Sequence, residues 1–582
     1  MITKNSKESR TRLVDKLWKY QLEKGYISRS NIRKIAEELH ISIIEVEGVI
    51  TFYHFFHLKP TGHYTIYLNN SIISELKGYD EVKKAFEKET GTKFGEIDAT
   101  GTFGLFETSC IGLSDQEPAA LINFKPFVNL TAKKVEKIIA ALKNRKDLDT
   151  LADKVEDHVQ YTLGEQSVFF REYKKGKILK KALKMIPGEI VEELKWSGLT
   201  GRGGAFFPTG LKWDICRKGL SFQKYVICNA DEGEPGTFKD RLLLNSYIGL
   251  LLEGMILGGY TVGASKGFIY LRAEYHYLKE KIEKEIQDFY DRGLLGENVL
   301  GLEEFDFDIR IQMGAGAYIC GEETSLIQSM EGKRGEPRTK TFFPVEKGIL
   351  YKPTLVNNVE TFCAAARIIE SGAPSFKDMG TARSSGCKLL SVSGDCDKPG
   401  IYEIEWGMTV SELLKLCGAK DTKFIQWSGP SGTLLAAEDF DRQICFEDLV
   451  CGGSVMIFNT KRDLWNLLIN FSQFFIDESC GLCTPCRAGN YLVGKRLERI
   501  RAGKSTKEDL AELKNWAIII KNTSRCGLGK TSNNFILDAM KKFPEIMESN
   551  ITKTESLLEK KFNLEESVLD YADFVTKINQ DG

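Results

Sequence analysis

Tyr225-Val-Ile-Cys-Asn-Ala-Asp-Glu-Gly-Glu-Pro-Gly236 joins a short apolar strand directly to a cluster of polar, acidic and glycine residues. Two further strand-like runs follow at 268–271 and 307–312, and helical stretches such as 274–290 separate them. Strands that alternate with helices predict a parallel sheet covered by helices, and ligands bind at the carboxyl ends of such strands. The stretch after Cys228 therefore predicts a ligand site in an α/β domain.

Two glycine-rich segments accompany this strand. They read Ser197-Gly-Leu-Thr-Gly-Arg-Gly-Gly-Ala-Phe-Phe-Pro-Thr-Gly-Leu-Lys-Trp213 and Gly314-Ala-Gly-Ala-Tyr-Ile-Cys-Gly-Glu-Glu323. Glycines allow backbone N–H groups to approach an anionic ligand closely, so a phosphate cradle is the functional interpretation of the first segment. The segment has neither the dinucleotide-binding spacing nor the Walker A spacing, so on spacing alone a purely structural loop remains an alternative.

Four cysteines near the C-terminus have the spacing of metal ligands. Two residues separate Cys480 from Cys483 and Cys483 from Cys486, and Cys526 follows a helical stretch long enough to extend away from these cysteines and return to them. Four thiolates, three of them tightly spaced, suit a 4Fe-4S cluster. A four-cysteine zinc site and the absence of any metal are the alternatives, although zinc sites more often use two separated pairs of cysteines.

Taken together, these motifs and Val356-Asn-Asn-Val-Glu-Thr361 resemble those of the NADH-binding, flavin-carrying subunit of respiratory complex I and its relatives. The resemblance spans about residues 170 to 540, and the motifs follow in the same order. The N-terminal part resembles the small thioredoxin-like subunit of the same complex. Such a fusion most resembles the large diaphorase subunit of soluble NAD-reducing nickel-iron hydrogenases.

The resemblance implies a binding site for FMN, NAD(H) and a 4Fe-4S cluster. NAD(H) would lie over the flavin, with its adenine between two aromatic rings, for which core packing is the alternative role. The FMN residues would be Gly201, Arg202, Gly203, Lys212, Asn229, Asp231, Gly321, Glu322, Asn357, Asn358 and Thr361. The NAD residues would be Phe207 and Phe343 around the adenine, and Glu234, Glu323 and Lys340 as polar contacts. The cluster ligands would be Cys480, Cys483, Cys486 and Cys526.

The first glycine loop departs from the family pattern at one position. The family writes Gly-Arg-Gly-Gly-Ala-Gly-Phe, whereas Phe206 stands here in place of the last glycine. A residue that tolerates positive φ is thus replaced by a bulky aromatic residue. We expect the loop still to bind FMN.

A chain of 582 residues is too long for one core. The fold class that the patterns and the resemblance imply is multidomain α/β, with a Rossmann-like FMN and NAD domain at its centre. The expected units are a helical bundle (1–60), a degenerate thioredoxin-like domain (61–142), a linker (143–170), the FMN- and NAD-binding domain (171–385), a β-rich, β-grasp-like domain (386–460) and a helical 4Fe-4S domain (461–582).

The overall charge argues against nucleic-acid and membrane partners. The net charge of -1 offers no basic footprint, and the longest apolar stretch, 247–264, is interrupted by Glu253 and several glycines. The segment from Arg33 onward can be taken for a DNA-binding helix-turn-helix, but Glu45, Glu47 and the aromatic run 51–56 stand where a recognition helix wants basic side chains. We therefore expect a cytoplasmic protein whose partners are an iron-sulfur diaphorase small subunit and hydrogenase subunits.

Cys110 lies alone in Glu107-Thr-Ser-Cys-Ile-Gly-Leu-Ser-Asp-Gln-Glu-Pro118. The thioredoxin-like subunit of the family holds a 2Fe-2S cluster with four cysteines, and their positions fall here on Asn69, Ser74, Cys110 and Ser114. One thiolate does not hold a cluster that needs four ligands, and no basic neighbour is visible to activate it as a nucleophile. The sequence predicts a structural remnant.

The resulting functional hypothesis is a diaphorase that exchanges a hydride with NAD(H) and single electrons with a partner. A subunit of complex I and the diaphorase subunit of an NAD-dependent formate dehydrogenase are the alternatives of the same class. An electron-transfer scaffold with an inactive flavin site and a DNA-binding redox regulator are alternatives of other classes.

Overall fold

The computed structural model describes residues 10–339 and 341–551. The chain begins with the predicted helical bundle, in which Ser28 caps the second helix by accepting a hydrogen bond from the Asn31 N–H group. Apolar residues of these helices, such as Leu17 and Ile35, are buried. The three helices are Leu13–Lys24, Arg29–Leu39 and Ile43–Ile50.

The thioredoxin-like domain is a four-stranded sheet with helices. Its strands are β1 (Tyr64–Asn69), β2 (Phe103–Thr108), β3 (Ala120–Ile122) and β4 (Lys125–Phe127), in the order β2-β1-β3-β4. Strand β1 pairs parallel with β2 and antiparallel with β3. The helices are Ile72–Leu76, Tyr79–Thr90 and Ala132–Lys143.

The segment 143–170 is more structured than the linker that the sequence predicted. It contains the helix Leu148–Leu151, the strand β5 (Val159–Tyr161) and the 3-10 turn Gly164–Gln166. Strand β5 joins the edge of a sheet that belongs to a domain more than 200 residues further along the chain. Such long-range pairing leaves no periodicity in a three-residue strand, which explains why the sequence did not reveal it.

The central domain contains the predicted parallel sheet. Its strands are β6 (Tyr225–Ala230), β7 (Lys266–Leu271), β8 (Asp308–Met313) and β9 (Thr354–Asn358), all parallel, in the order β8-β7-β6-β9. The α-helices are Lys177–Ala182, Pro187–Trp196, Thr209–Lys218, Lys239–Ser246, Ile248–Val262, Lys279–Asp291, Glu323–Met330, Pro344–Lys347, Val359–Ser371 and Pro374–Lys377. The 3-10 helices are Ala273–Leu278, Val299–Gly301, Tyr318–Gly321 and Ile349–Tyr351.

The β-rich domain follows as a sheet crossed by one helix, Val410–Cys417. Its strands are β10 (Cys387–Gly394), β11 (Gly400–Glu405), β12 (Thr422–Trp427), β13 (Thr433–Leu435) and β14 (Ser454–Asn459), with the 3-10 turn Ala437–Asp439. The sheet order is β13-β12-β14-β10-β11-β5, with β10 antiparallel to β11 and parallel to β14.

The C-terminal domain is helical, as predicted. Its helices are Leu464–Asp477, Thr484–Arg501, Lys507–Thr523, Gly527–Thr531, Asn534–Lys542 and Pro544–Glu548. Across the described ranges no single helix meets the length and apolarity needed to span a membrane, although the bent pair Lys239–Ser246 and Ile248–Val262 meets them jointly.

The N-terminal bundle packs against the second glycine segment. Trp18 Nε1 donates to the Gly314 carbonyl (2.9 Å), and the His54 N–H group donates to the Gly316 carbonyl (2.9 Å). A Cβ atom on Gly316 would lie 2.5 Å from the Phe55 ring. These glycines therefore permit close domain contact, and the aromatic run 51–56 is a docking surface rather than part of a DNA-reading helix.

The thioredoxin-like loop is fastened to the central domain by a buried ion pair. Arg241 donates from both terminal nitrogens to Asp115, at 2.9 and 3.0 Å, and both side chains are fully buried. Arg241 also donates to the Gly112 carbonyl (2.9 Å). The guanidinium group holds the pKa of Asp115 at about 2, below its ordinary value, against the raising effect of burial.

We predict that Asp115→Asn destabilises the chain by about 3 to 5 kcal/mol, because it leaves the Arg241 charge buried without a counter-charge. The midpoint of denaturant unfolding, followed by tryptophan fluorescence, measures the change. The control is Asp149→Asn, which removes an exposed ion pair with Lys125 and is expected to cost less than about 1 kcal/mol. Equal losses of unfolding free energy in the two variants would contradict the conclusion that this ion pair fastens the loop to the central domain.

Candidate active site

The predicted ligand residues converge at the carboxyl edge of the central sheet. Asn229, at the end of β6, lies beside Asn358, at the end of β9, in the strand register. Asn229 Nδ2 donates to the Gly321 carbonyl (2.8 Å), which brings the turn after β8 to the same place. Three strand ends thus meet, as the parallel sheet requires.

The first glycine loop closes over the end of β9. The Arg202 N–H group donates to Thr361 Oγ1 (2.8 Å), and a Cβ atom on Gly203 would lie 3.1 Å from the Asn358 Cβ atom. A side chain at position 203 would push the loop away from the strand. The loop leads into the helix Thr209–Lys218, whose N-terminus is a favourable place for an anion.

Arg202 uses its side chain differently from its expected role at the flavin. The buried guanidinium group donates to the Thr200 carbonyl (2.9 Å) and stacks over the rings of Phe376 and Trp406. It therefore joins the glycine loop to the β-rich domain. Because the backbone N–H group of Arg202 already donates to Thr361, only the buried Nε lacks a hydrogen-bond partner among the described residues, and Arg202 acts here by holding the loop in place.

Phe206 adopts the conformation that its family position requires. Its φ angle is 52°, in the left-handed region that costs a non-glycine residue roughly 1 to 2 kcal/mol. Its ring packs edge-on against Phe446 of the β-rich domain, with the ring centroids 5.0 Å apart. Packing between domains offsets the backbone strain, so the loop keeps a glycine-like path.

Three asparagine side chains present N–H donors to the site. Asn229 Oδ1 accepts from the Asp231 N–H group (3.1 Å), Asn357 Oδ1 from Trp213 Nε1 (3.3 Å), and Asn358 Oδ1 from the Glu360 N–H group (3.0 Å). Asn229 Nδ2 and Asn358 Nδ2 each also donate one hydrogen to a protein acceptor, Gly321 and Asp240 respectively, so each keeps one amide hydrogen for a ligand. The site therefore favours a ligand rich in acceptors.

Three buried polar atoms around the edge have no hydrogen-bond partner among the described residues: Asp231 Oδ2, Thr209 Oγ1 and Ser325 Oγ. Burial raises the pKa of Asp231 well above its ordinary value, although Arg272 acts in the opposite direction. Unpaired buried groups are costly unless a ligand satisfies them. Together with the N–H donors they fit FMN, whose ribityl, phosphate and ring atoms both donate and accept hydrogen bonds.

Lys212 and two glutamates complete this edge. Lys212 Nζ lies 2.9 Å from Glu323 Oε2 and is partly exposed. Glu322 caps the helix Glu323–Met330 by accepting from the Thr324 and Ser325 N–H groups, each at 3.0 Å. The carboxylate of Glu322 is therefore a structural cap in addition to its predicted contact with FMN.

The predicted NAD residues lie toward solvent. Phe207 and Phe343 are 45% and 57% exposed, so the alternative of core packing is wrong for both. Glu234 accepts hydrogen bonds from Tyr318 Oη and from the Ser431 N–H group (2.8 Å). Burial raises the pKa of Glu234 to about 7. The predicted contact at Lys340 lies outside the described residues.

The four cluster cysteines surround one volume in the C-terminal domain. Cys483 precedes the helix Thr484–Arg501, and Cys526 precedes the helix Gly527–Thr531. Burial, together with charge repulsion from the other three thiols, raises the pKa of Cys486 to about 12. Ser479 Oγ lies 3.3 Å and Asn490 Nδ2 3.5 Å from Cys486 Sγ, as outer hydrogen bonds to a ligating sulfur would require.

The spacing of these thiols bears on the choice of metal. Within 10–339 and 341–551 no three His, Cys, Asp or Glu side chains are already gathered at the separations of a metal site. A single zinc ion would draw its thiolates to about 4 Å from one another. A 4Fe-4S cluster places one thiolate at each of four irons and so spaces the sulfurs more widely. The sequence spacing of Cys480, Cys483 and Cys486, with Cys526 at a distance, fits the cluster better.

The loop around Cys110 is held by contacts of its own. Cys110 Sγ lies 3.5 Å from Ser114 Oγ, and the Cys110 carbonyl accepts from Arg272 (2.7 Å). Asn69 donates to Glu117. Burial raises the pKa of the Cys110 thiol, which disfavours a reactive thiolate. A cavity of about 720 Å³ lies between this loop and the loop of Cys480.

Sequence reasoning missed some residues behind the site. Asp240 accepts from Asn358 Nδ2 (2.6 Å), and Trp213 orients Asn357. The available signal was Lys239-Asp240-Arg241, three consecutive charges before the apolar run Leu242-Leu-Leu. Charged residues at the start of an otherwise apolar helix indicate that their side chains are buried and paired with opposite charges.

Comparison with known proteins defines the class. The family models named Nuo51 FMN-binding domain, Thioredoxin-like [2Fe-2S] ferredoxin, and NADH-ubiquinone oxidoreductase-F iron-sulfur binding region match residues 194–367, 1–143 and 466–550. The chain is an oxidoreductase that uses NAD(H), FMN and a 4Fe-4S cluster.

Comparison with individual relatives identifies the family more closely. The NAD-reducing hydrogenase HoxS subunit alpha of Cupriavidus necator is 48% identical, over 98% of this chain and 97% of that protein. The NADP-reducing hydrogenase subunit HndC of Solidesulfovibrio fructosivorans is 44% identical, over 64% of this chain and 78% of that protein. A chain of an H2-reduced NAD+-reducing [NiFe]-hydrogenase superposes with a TM-score of 0.88 at 35% identity, over 94% of both chains. This chain belongs to the family of NAD-reducing hydrogenase α subunits.

We predict that Cys526→Ser removes the 4Fe-4S signal from the electron paramagnetic resonance spectrum of the reduced chain, because the cluster loses a thiolate, and leaves FMN bound. The matched control is Cys110→Ser. It is expected to keep the wild-type iron content of about four per chain. Loss of iron in the Cys110 variant would contradict a structural role for that residue.

We predict that Glu234→Gln gains stability relative to the wild type as the pH rises from about 4.5 to 7. Protonated Glu234, with its raised pKa, stabilises the fold below the unfolded-state pKa of about 4.5, and this contribution is lost as the pH rises to the folded-state value. Glutamine does not titrate. The difference in unfolding free energy should change by about 2 to 3 kcal/mol at most, given the partial exposure of Glu234. Thermal unfolding of the wild type and the variant at pH 4 and pH 8 measures this difference. A difference that does not change with pH would contradict the raised pKa of Glu234.

Proposed function

We propose that this chain is the diaphorase subunit of a cytoplasmic NAD-reducing hydrogenase. It exchanges a hydride between NAD(H) and FMN, and passes single electrons through its 4Fe-4S cluster to or from an iron-sulfur partner subunit. The cytoplasm supplies NAD(H) and keeps thiols reduced. The resemblance to HoxS subunit alpha over nearly the whole chain supports the choice of a hydrogenase partner.

One observation carries the proposal: the flavin site and the cluster loop are in direct contact. The Tyr318 N–H group donates to Glu478 Oε2 (2.8 Å), and Glu478 stands two residues before Cys480. Tyr318 begins the turn whose last residue, Gly321, is bonded to Asn229. A continuous path through Gly321, Tyr318 and Glu478, with one hydrogen bond at each end of the turn, therefore joins the two proposed cofactor sites.

The side chains hold and orient rather than perform acid-base chemistry. FMN, when bound, takes two electrons together and releases them singly, and this chemistry belongs to the cofactor. The proposed tasks of the protein are to bind phosphate at the glycine loop and Lys212, and to orient the flavin ring with the asparagine amides. Phe207 and Phe343 would clamp the adenine of NAD(H).

The test is NADH-dependent reduction of ferricyanide by the isolated chain, followed by assays of the co-purified complex. Hydrogen-dependent NAD reduction supports the proposal. Formate-dependent reduction without hydrogenase activity would contradict the proposed partner, and absence of NADH oxidation by a chain that contains FMN would contradict the diaphorase activity.

We predict that Phe207→Ala raises the KM for NADH about 3- to 10-fold with little change in kcat, because it removes one stacking face for the adenine. Steady-state ferricyanide reduction measures both constants. Phe222→Ala is the matched control, since Phe222 is a fully exposed phenylalanine on the loop before the amino end of β6. An unchanged KM in the Phe207 variant would remove this residue from the NAD site.

A further inference from the structure

Asp240 lies behind the flavin site, at the start of the helix Lys239–Ser246, and is buried. Its two carboxylate oxygens serve two different donors. Oδ1 accepts from Lys239 Nζ (2.6 Å), and Oδ2 accepts from Asn358 Nδ2 (2.6 Å). Because a carboxylate only accepts hydrogen bonds, this contact fixes the Asn358 amide with its nitrogen toward Asp240.

We propose that Asp240 is a positioning residue of the flavin site, which acts through Asn358. Asn358 Oδ1 is held by the Glu360 N–H group (3.0 Å) and one amide hydrogen is held by Asp240. The second amide hydrogen is then aimed at the edge of the sheet where FMN is proposed to bind. The inference rests on the proposed function, because it assigns the ligand of that hydrogen to FMN.

The surroundings of Asp240 make its position rigid. The Asp240 N–H group donates to Glu232 Oε1 (2.8 Å), so the helix start is anchored. Lys239 Nζ also lies 3.1 Å from Glu360 Oε2, and Glu360 pairs with Lys388 on β10. Glu360 is the neighbour of Val359, the first residue of the helix that Asn358 caps. Glu360 thus contacts Lys239, the neighbour of Asp240, and also Asn358. One buried residue therefore holds both sides of the Asp240–Asn358 contact.

A substitution can separate the two oxygens of Asp240. In Asp240→Asn one acceptor oxygen remains for two donors, and the Lys239 ammonium takes it because a charge-assisted hydrogen bond is the stronger one. The new amide nitrogen then faces the amide nitrogen of Asn358. Asn358 loses its acceptor and turns, so its remaining N–H group no longer faces the flavin.

The experiment is a double-mutant cycle in the full-length chain depleted of FMN and titrated with FMN. Asp240→Asn, Asn358→Ala and the double variant are compared by quenching of FMN fluorescence and by visible circular dichroism of the bound flavin. We expect each single variant to weaken FMN binding about tenfold, and the double variant to be no weaker than Asn358→Ala alone. The flavin dichroism of Asp240→Asn should match that of Asn358→Ala.

The control is Asp115→Asn, which removes the buried counter-charge of Arg241 on the same helix but does not touch Asn358. We expect it to lower the unfolding midpoint while FMN affinity stays within about twofold of the wild type. If Asp240→Asn does not yield folded chain, Asp240→Ser enters the same cycle with the same expectation.

The outcomes separate this inference from the proposed function. Multiplied effects in the double variant, about a hundredfold, would show that Asp240 acts independently of Asn358 and would overturn the inference. Unchanged FMN affinity in Asp240→Asn would overturn it as well. Failure of the wild-type chain to bind FMN would instead refute the proposed function.

Discussion

Three consecutive charged side chains, Lys239, Asp240 and Arg241, are buried, and each reaches a different part of the molecule. Lys239 reaches Glu360, which Lys388 of the β-rich domain also contacts, Asp240 holds Asn358, and Arg241 holds Asp115 of the thioredoxin-like loop. A buried charge is costly unless it is paired. The central, β-rich and thioredoxin-like domains must therefore assemble around this helix start before its charges are satisfied.

This constraint gives the thioredoxin-like domain a role that does not require a cluster. Its loop supplies Asp115 to Arg241 and the Cys110 carbonyl to Arg272. At the other side, the N-terminal bundle contacts the second glycine segment through Trp18 and Phe55. Within this domain Cys110 contacts Ser114 and Asn69 donates to Glu117, so the loop is held by hydrogen bonds of its own.

Local patterns predicted the parallel sheet and the ligand spacing of the C-terminal cysteines, because periodicity and spacing are properties of neighbouring residues. Contacts across domains were not predictable in this way. The side chain of Arg202 points to Phe376 and Trp406, and Phe206 is stabilised by Phe446 more than 200 residues away. The pairing of strand β5 and the contact of Asp240 with Asn358 could not be predicted from the sequence for the same reason. The cofactors were predicted from the resemblance of the motifs, because the glycine spacing alone is equally compatible with a purely structural loop.

The central claim is that the chain carries one flavin and one 4Fe-4S cluster, with the thioredoxin-like domain as a structural dock. Anaerobic reductive titration of the isolated chain with dithionite, followed optically, counts its electron-accepting groups directly. Two electrons for FMN and one for the cluster predict an uptake of about three electrons per chain. An uptake of about four would reveal a second cluster, and an uptake of about two would leave the C-terminal thiols without one.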